Sequence, residues 1–385
     1  MQIDFHYYAT YCAAYIAGYS HEECMELCYS DMLVDFCTRT FLSRIKAPAS
    51  ATTVQSAAEL ADARTDIVGL QNITRIWASF HFLPYDLYAE KEHCSKSYIN
   101  KYRMICNTNS DLLVDTVNLA NGKSLQAKGI AMHVLSDTWA HKYFAGTPSL
   151  VINNVSKYIY ELLPTDDGEI EKGIKFIHRP GALDDFDESK YINSIYQGSE
   201  DSAMNLGHAR AGHLPDYSYA KYKYMPAWGD FEVVIKDNPS DYMKAFTQMI
   251  YALRFYKGDY PVFEKEKYDD EIIEPYREKI DAIFRVRRAL DSDDWKAFGE
   301  SLSGEEIEDF NINKYCDEYI NASPEDKDNT FLGKFIIAAL AQKSMVINKI
   351  YKSGNKLAGY SVDFGEVGFK GIKDYGKLLK ESKKE

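Results

Sequence analysis

The sequence predicts an all-α fold, a multi-helix bundle with a helical C-terminal extension. Three observations lead there. Residues 124–145 read as one long helix that is apolar on nearly every face, so it belongs in a core. Ser20 and Glu23 form a capping-box pattern that opens a second helix running towards Arg39. Helical periodicity then recurs over 242–256, 271–290, 304–319 and 329–351.

In chain order, residues 5–17 read as an aromatic-rich helix with Gly18 after its end. His21 falls in the exposed first turn of the second helix, whereas Asp35 lies late in it among Met32, Leu33, Val34 and Phe36. Residues 46–56 are small and loop-like. An apolar run over 73–83 holds Trp77 and His81 and closes at Pro84. Residues 111–121 read as a short helix ending in the turn pair Asn121-Gly122. The long central helix follows, with Gly146 as its stop and Pro148 just beyond. A further helical piece is expected to about Leu163, then a loop at P-T-D-D-G. Residues 177–191 are expected to be irregular, with His178 at the surface. In 204–216 (M-N-L-G-H-A-R-A-G-H-L-P-D), Pro215 should end a helix near Leu214. From Tyr217 on, Tyr-rich helices are expected, with an amphipathic end over 370–385.

The totals narrow the function classes. A net charge of −13 argues against a surface that coats long nucleic acid. The longest apolar block, 335–341, is too short to span a bilayer, so no transmembrane segment is expected. The opening M-Q-I-D-F-H lacks a basic and then apolar leader, so with Met1 as the native start a cytoplasmic location is expected. The seven cysteines form no CxxC pair and read as reduced, mostly buried thiols. Nothing in the sequence indicates the oligomeric state.

The chemistry concentrates in the central helix, where His133, Asp137 and His141 recur every four residues on one face. Buried polar groups need partners, so three such side chains in a core call for an explanation. His133 and His141 lie about 12 Å apart along the axis, and metal–ligand bonds are about 2 Å, so one ion could not take both. A metal site here holds at least two ions, with Asp137 as the bridge between them. His6, His81, His208 and His213, with Asp4, Asp35 and Asp216, complete the candidate set. A His/Asp set without Cys suits Zn²⁺, Mn²⁺ or Fe, ions that polarise phosphoryl oxygens and activate water for attack on phosphorus.

The order of these residues resembles the zinc-dependent phospholipase C and fungal single-strand nuclease superfamily. The pieces that match are His6, Asp35, His81 in S-F-H-F, His133 with Asp137, His141, and the 208–216 stretch. The M-x-I-D-F-H opening and the H-x3-D-x3-H core also resemble an uncharacterised bacterial domain family. The superfamily resemblance implies an all-helical fold of that type and a division of ligands. Asp35, His81 and His133 would hold one ion, and His6 with Asp4 or the chain amine a second. Asp137 would bridge these two, and His141 with His208, His213 or Asp216 would hold the third. The match covers residues 1–216, so a metal-binding helical domain is expected over 1–220 and a helical extension packed on it over 221–385.

The leading expectation is a metal-dependent hydrolase, a phosphoesterase that cleaves a phosphodiester with water activated at two or three zinc ions and Asp137 at the catalytic centre. Its substrate would be a phosphate-ester small molecule, lipid headgroup or nucleotide. A phosphohydrolase of the His-Asp type is disfavoured, because no H-D dipeptide occurs. The alternative is a non-enzymatic helical binding or scaffold protein with structural metals; an open coordination position separates the two, since structural sites are closed.

Overall fold

The computed structural model describes residues 1–63, 66–155, 158–179, 181–193 and 198–361. The expected amphipathic end over 370–385 lies outside them. A π-helical stretch, Asp4–Ala9, runs directly into α1 (Thr10–Ile16). Further principal helices are α2 (His21–Leu33), α3 (Ile67–Phe80), α4 (Asp111–Ala120), α5 (Leu125–Ala140), α6 (Asn238–Lys257), α7 (Ser292–Ser303) and α8 (Phe331–Lys352).

The hub is α5. Ser124 caps its first turn, and every residue from Gly129 to Ala140 is buried, as expected of a helix with no polar face. It packs against α2, α3, α4, α6 and α8. Gly129 lets α2 come close: a Cβ there would stand 2.6 Å from Leu27 O and from Ser30 Cβ. The capping box at Ser20 and Glu23 forms as its spacing predicts.

The all-α expectation is overturned. Four strands, β1 (Ile159–Thr165), β2 (Gly168–Gly173), β5 (Lys221–Tyr224) and β6 (Val234–Asp237), form an antiparallel sheet ordered β2-β1-β5-β6. Two more, β3 (Lys175–Ile177) and β4 (Lys190–Ile192), pair in parallel. The helix expected to Leu163 runs only over Leu150–Asn153 before strand β1 takes its place, and the irregular stretch 177–191 contains parts of two strands. The physical signals were short-range. Asp166-Asp167 is the two-residue turn of the β1–β2 hairpin, and Gly168 directly after it has φ +133°. Tyr222 and Tyr224, two apart, share the buried face of β5, a period of two that a helix cannot use.

Several boundaries also differ. Helix α2 stops at Leu33, so Asp35 follows the helix instead of lying in it. Helix α5 stops at Ala140, and Gly146 instead serves close packing, its Cβ position 2.6 Å from Ala78 N. The 204–216 stretch is a run of turns with 3-10 pieces at Ala203–Asn205 and Leu214–Asp216. Residues 304–319 are helical only from Cys316.

The division expected at 220/221 falls just before β5, which pairs with β1. One apolar core includes Phe5, Leu135, Phe246, Trp295 and Phe335, drawn from both sides of it. A second cluster under the sheet, with Phe82, Phe144, Leu214 and Tyr222, seats the 208–216 loop near the end of α5. Helix α8 has the length and composition of a membrane span, and 67% of its most apolar window is buried inside the protein.

Candidate metal centre

Three helices end at the same place. His81 is the C-cap of α3 and His141 the C-cap of α5, while Asp35 sits two residues beyond Leu33 at the end of α2. Helix C-termini carry partial negative charge and favour cations. The π-helical stretch brings His6 to them, and the turn at 214–216 brings Asp216. His6, His133 and Asp137 are 0–1% exposed, whereas the Asp35 side chain is 26% exposed and marks the open side.

The first ligand group is Asp35, His81 and His133, three side chains placed to hold one ion. His81 Nδ1 and His133 Nε2 are 3.3 Å apart, and Asp137 Oδ2 stands 3.2 Å from each. Asp35 Oδ1 lies 3.7 Å from the former and 3.8 Å from the latter. Tetrahedral ligands at about 2.0–2.1 Å from an ion are about 3.3 Å apart, so these four atoms fit one.

A second group is His141, His208 and Asp216. His141 Nε2 is 3.1 Å from Asp216 Oδ1, and His208 Nε2 is 3.6 Å from Asp216 Oδ2. Between the two groups lie His6 Nε2, 3.2 Å from Asp137 Oδ1, and the Met1 amine, 2.8 Å from the same oxygen. The amine also stands 3.3 Å from Asp216 Oδ1 and from His141 Nε2. His6 Nε2 is buried and has no hydrogen-bond partner.

The outward ring nitrogens decide what the inward ones can do. His81 Nε2–H donates to Thr53 O, His141 Nδ1–H to His81 O, and His208 Nδ1–H to Gly212 O. His133 Nδ1–H donates to Asp31 Oδ1 at 3.1 Å. Carbonyls and carboxylates only accept, so each of these rings keeps a proton outside and, in its neutral form, turns a lone pair inward. Those lone pairs face carboxylate oxygens, and acceptor against acceptor is repulsive unless a cation lies between. The residues therefore fit metal ions.

The clustered carboxylates dominate the electrostatics. Burial alone would lower the Met1 amine, yet Asp137, Asp216 and Asp35 raise it to about 11. Burial is likewise outweighed at His133, which Asp137 and Asp35 raise to about 10. Asp137 and Asp216 stay well below the usual carboxylate range despite burial, held there chiefly by His141 and the amine around Asp137 and by His208 and the amine around Asp216. The carboxylates collect positive charge from whatever surrounds them. Burial pushes His208 down to about 4, which keeps its ring neutral, as a ligand must be.

Not every expected residue converges. Asp4 is turned away: its Oδ1 accepts from Phe5 N and its Oδ2 from Asp291 N. The Met1 amine stands in the position for which Asp4 was considered. His213 is at the rim, its side chain 62% exposed, with Nδ1 3.3 Å from Asp216 Oδ2. Near the centre, Arg210 is buried and donates to Asn154 Oδ1 and Asn205 Oδ1. Trp139 is a core residue that donates to Gln248 Oε1.

Asp31 escaped the sequence reading. It is fully buried, and its Oδ1 lies 2.8 Å from His6 Nδ1 as well as 3.1 Å from His133 Nδ1. His6, Asp31 and His133 could themselves hold an ion; Asp31 meets both rings at Nδ1, on the side away from Asp137, so with Asp137 as the shared carboxylate it stands behind the ligands. The criterion that singled out Asp35, a carboxylate inside an apolar helical run, applies equally to Asp31 between Tyr29 and Leu33.

A family of unknown function (DUF6765) matches residues 1–350. No curated protein and no solved structure matches the chain.

Proposed function

The chain belongs to the DUF6765 family, and we propose that it is a phosphodiesterase working at a three-ion centre, with zinc as the metal. One observation carries the reading: inward lone pairs of His81, His133, His141 and His208 converge on the carboxylates of Asp35, Asp137 and Asp216. The division of ligands follows the distances. Asp35, His81, His133 and Asp137 Oδ2 hold the first ion. His6 Nε2 and Asp137 Oδ1 would hold the second, and His141, His208 and Asp216 the third.

When bound, such ions supply Lewis acidity at a phosphoryl oxygen and lower the pKa of a water. The protein's part is to hold charge and leave room. Asp137 presents one oxygen to each of two neighbouring groups, 3.2 Å from His6 Nε2 and 3.2 Å from His133 Nε2. The third group offers three protein donors, which would leave a coordination position open on a four-coordinate ion, as in catalytic sites. Four carboxylates, Asp31 included, against three divalent ions leave a positive centre that suits an anionic phosphodiester. The chain's net charge of −13 favours a small ester, lipid headgroup or nucleotide over long nucleic acid.

The test is hydrolysis of bis(p-nitrophenyl) phosphate by zinc-loaded protein and by Asp137→Asn. Turnover in the first, lost in the folded variant, supports the reading. Turnover retained in the variant rules out the bridging role, and zinc bound without turnover on phosphodiesters favours a scaffold with structural metals.

A further inference from the structure

Asp31 touches two histidines assigned to different ions, and no other carboxylate does so from outside the centre among the described residues. Its Oδ1 accepts from His133 Nδ1–H at 3.1 Å and stands 2.8 Å from His6 Nδ1. The two rings lie 3.9 Å apart with 18° between their planes. Their far ends meet Asp137, His6 Nε2 on Oδ1 and His133 Nε2 on Oδ2, each at 3.2 Å. Two parallel imidazoles are thus held between one oxygen of Asp31 and the two oxygens of Asp137.

Building on the metal reading above, we propose that Asp31 couples the first two ions so that they load as a pair. An oxygen that only accepts, 2.8 Å from His6 Nδ1, disfavours a lone pair on that nitrogen, as at His133; Ser136 Oγ lies farther from it, at 3.5 Å. Both rings are therefore fixed as Nε2 ligands by the same atom. Asp31 is itself anchored, because Thr10 Oγ1 donates to its Oδ2 at 2.7 Å and both residues are fully buried. The carboxylate cannot turn towards one ring without leaving the other. His141 and His208 donate their outward N–H groups to the carbonyls of His81 and Gly212, so neither ring of the third group rests on Asp31.

Outer carboxylates of this kind change metal affinity by roughly 10- to 100-fold when replaced. The experiment is a zinc titration of metal-free protein against a chromophoric chelator, for wild type, Asp31→Asn and Asp31→Ala. The amide keeps the shape, so D31N serves if D31A does not fold. Wild type should take up two ions in one cooperative step and a third separately. In the variants the paired step should weaken by roughly 10- to 100-fold and lose its cooperativity, with the third ion unchanged. Ring ¹⁵N shifts of labelled histidine in the zinc-loaded protein should show a uniform Nδ1–H form at two rings, mixed in the variants. Weakening of one ion alone, of all three equally, or of none overturns the coupling while leaving the metal reading intact. A wild-type chain that takes up no zinc overturns the metal reading and the coupling with it.

Discussion

His6 and His133 stack their imidazoles 3.9 Å apart, and their Nε2 atoms meet opposite oxygens of Asp137. One residue comes from the first turns of the chain and the other from the middle of its central helix. The distance between them is set by the packing of Asp4–Ala9 against α2 and of α2 against α5. The predictions below concern that packing and the groups around it.

Removing a ligand should remove an ion, and removing a rim residue should not. His208→Ala is expected to lower bound zinc by about one equivalent per chain, because it leaves that group with only His141 and Asp216. His213→Ala should leave metal content unchanged, since that side chain is mostly exposed and bonds only to Asp216. Plasma mass spectrometry of the two variants checks both outcomes.

Asp4 makes a similar contrast with Asp137. Its carboxylate serves backbone amides of Phe5 and Asp291, so Asp4→Asn should destabilise the fold by about 1 kcal/mol or more while metal content is retained. Urea unfolding and metal analysis of the same preparation separate the two effects.

Gly129 controls how closely α2 approaches α5. A Cβ there meets Leu27 O and Ser30 Cβ at 2.6 Å and Asp31 N at 3.1 Å, all of them on the helix that carries Asp31. Gly129→Ala should cost about 1–3 kcal/mol by overpacking and should weaken metal binding through α2. Denaturant titration, followed by chelator competition, reads each.

Lys343 gives a pH dependence outside the centre. It is buried on α8 with its Nζ donating to Thr52 O, and burial lowers its pKa to about 7 from an ordinary 10.5. Between those values the unfolded chain binds more protons than the folded one, so this residue's contribution to stability rises with pH from about 7 to about 10. Below pH 7 both states carry the charge and the folded state bears the full cost of burying it. Lys343→Met should therefore stabilise the protein by a few kcal/mol at pH 6, offset by about 1 kcal/mol for the lost bond to Thr52 O. The gain should shrink towards pH 10, as thermal unfolding across pH would show.

Much of the candidate centre was legible because helices repeat. The four-residue spacing of His133 and Asp137, the apolar surroundings of α5, and the length argument separating His133 from His141 all rest on local geometry. Asp35 and His81 were placed by their order in the chain; no periodicity relates them, since each lies where a helix ends and the chain turns. Asp31 was passed over because a single carboxylate in an apolar run carries no sign of which neighbour it faces. Asp4 was misplaced because the π-helical stretch rotates it towards Asp291, and that local widening has no sequence signature. The strands were missed because Tyr suits helix and strand alike, and only the alternation at Tyr222 and Tyr224 distinguishes them.

Metal content per chain, measured by plasma mass spectrometry on protein purified without a His tag, tests the central claim most directly. The account predicts about three equivalents of zinc, or of manganese or iron in its place, with the loss of at least two when His133→Ala and Asp137→Asn are combined. A folded wild-type chain that carries no metal, and takes up none when zinc is supplied, would contradict it.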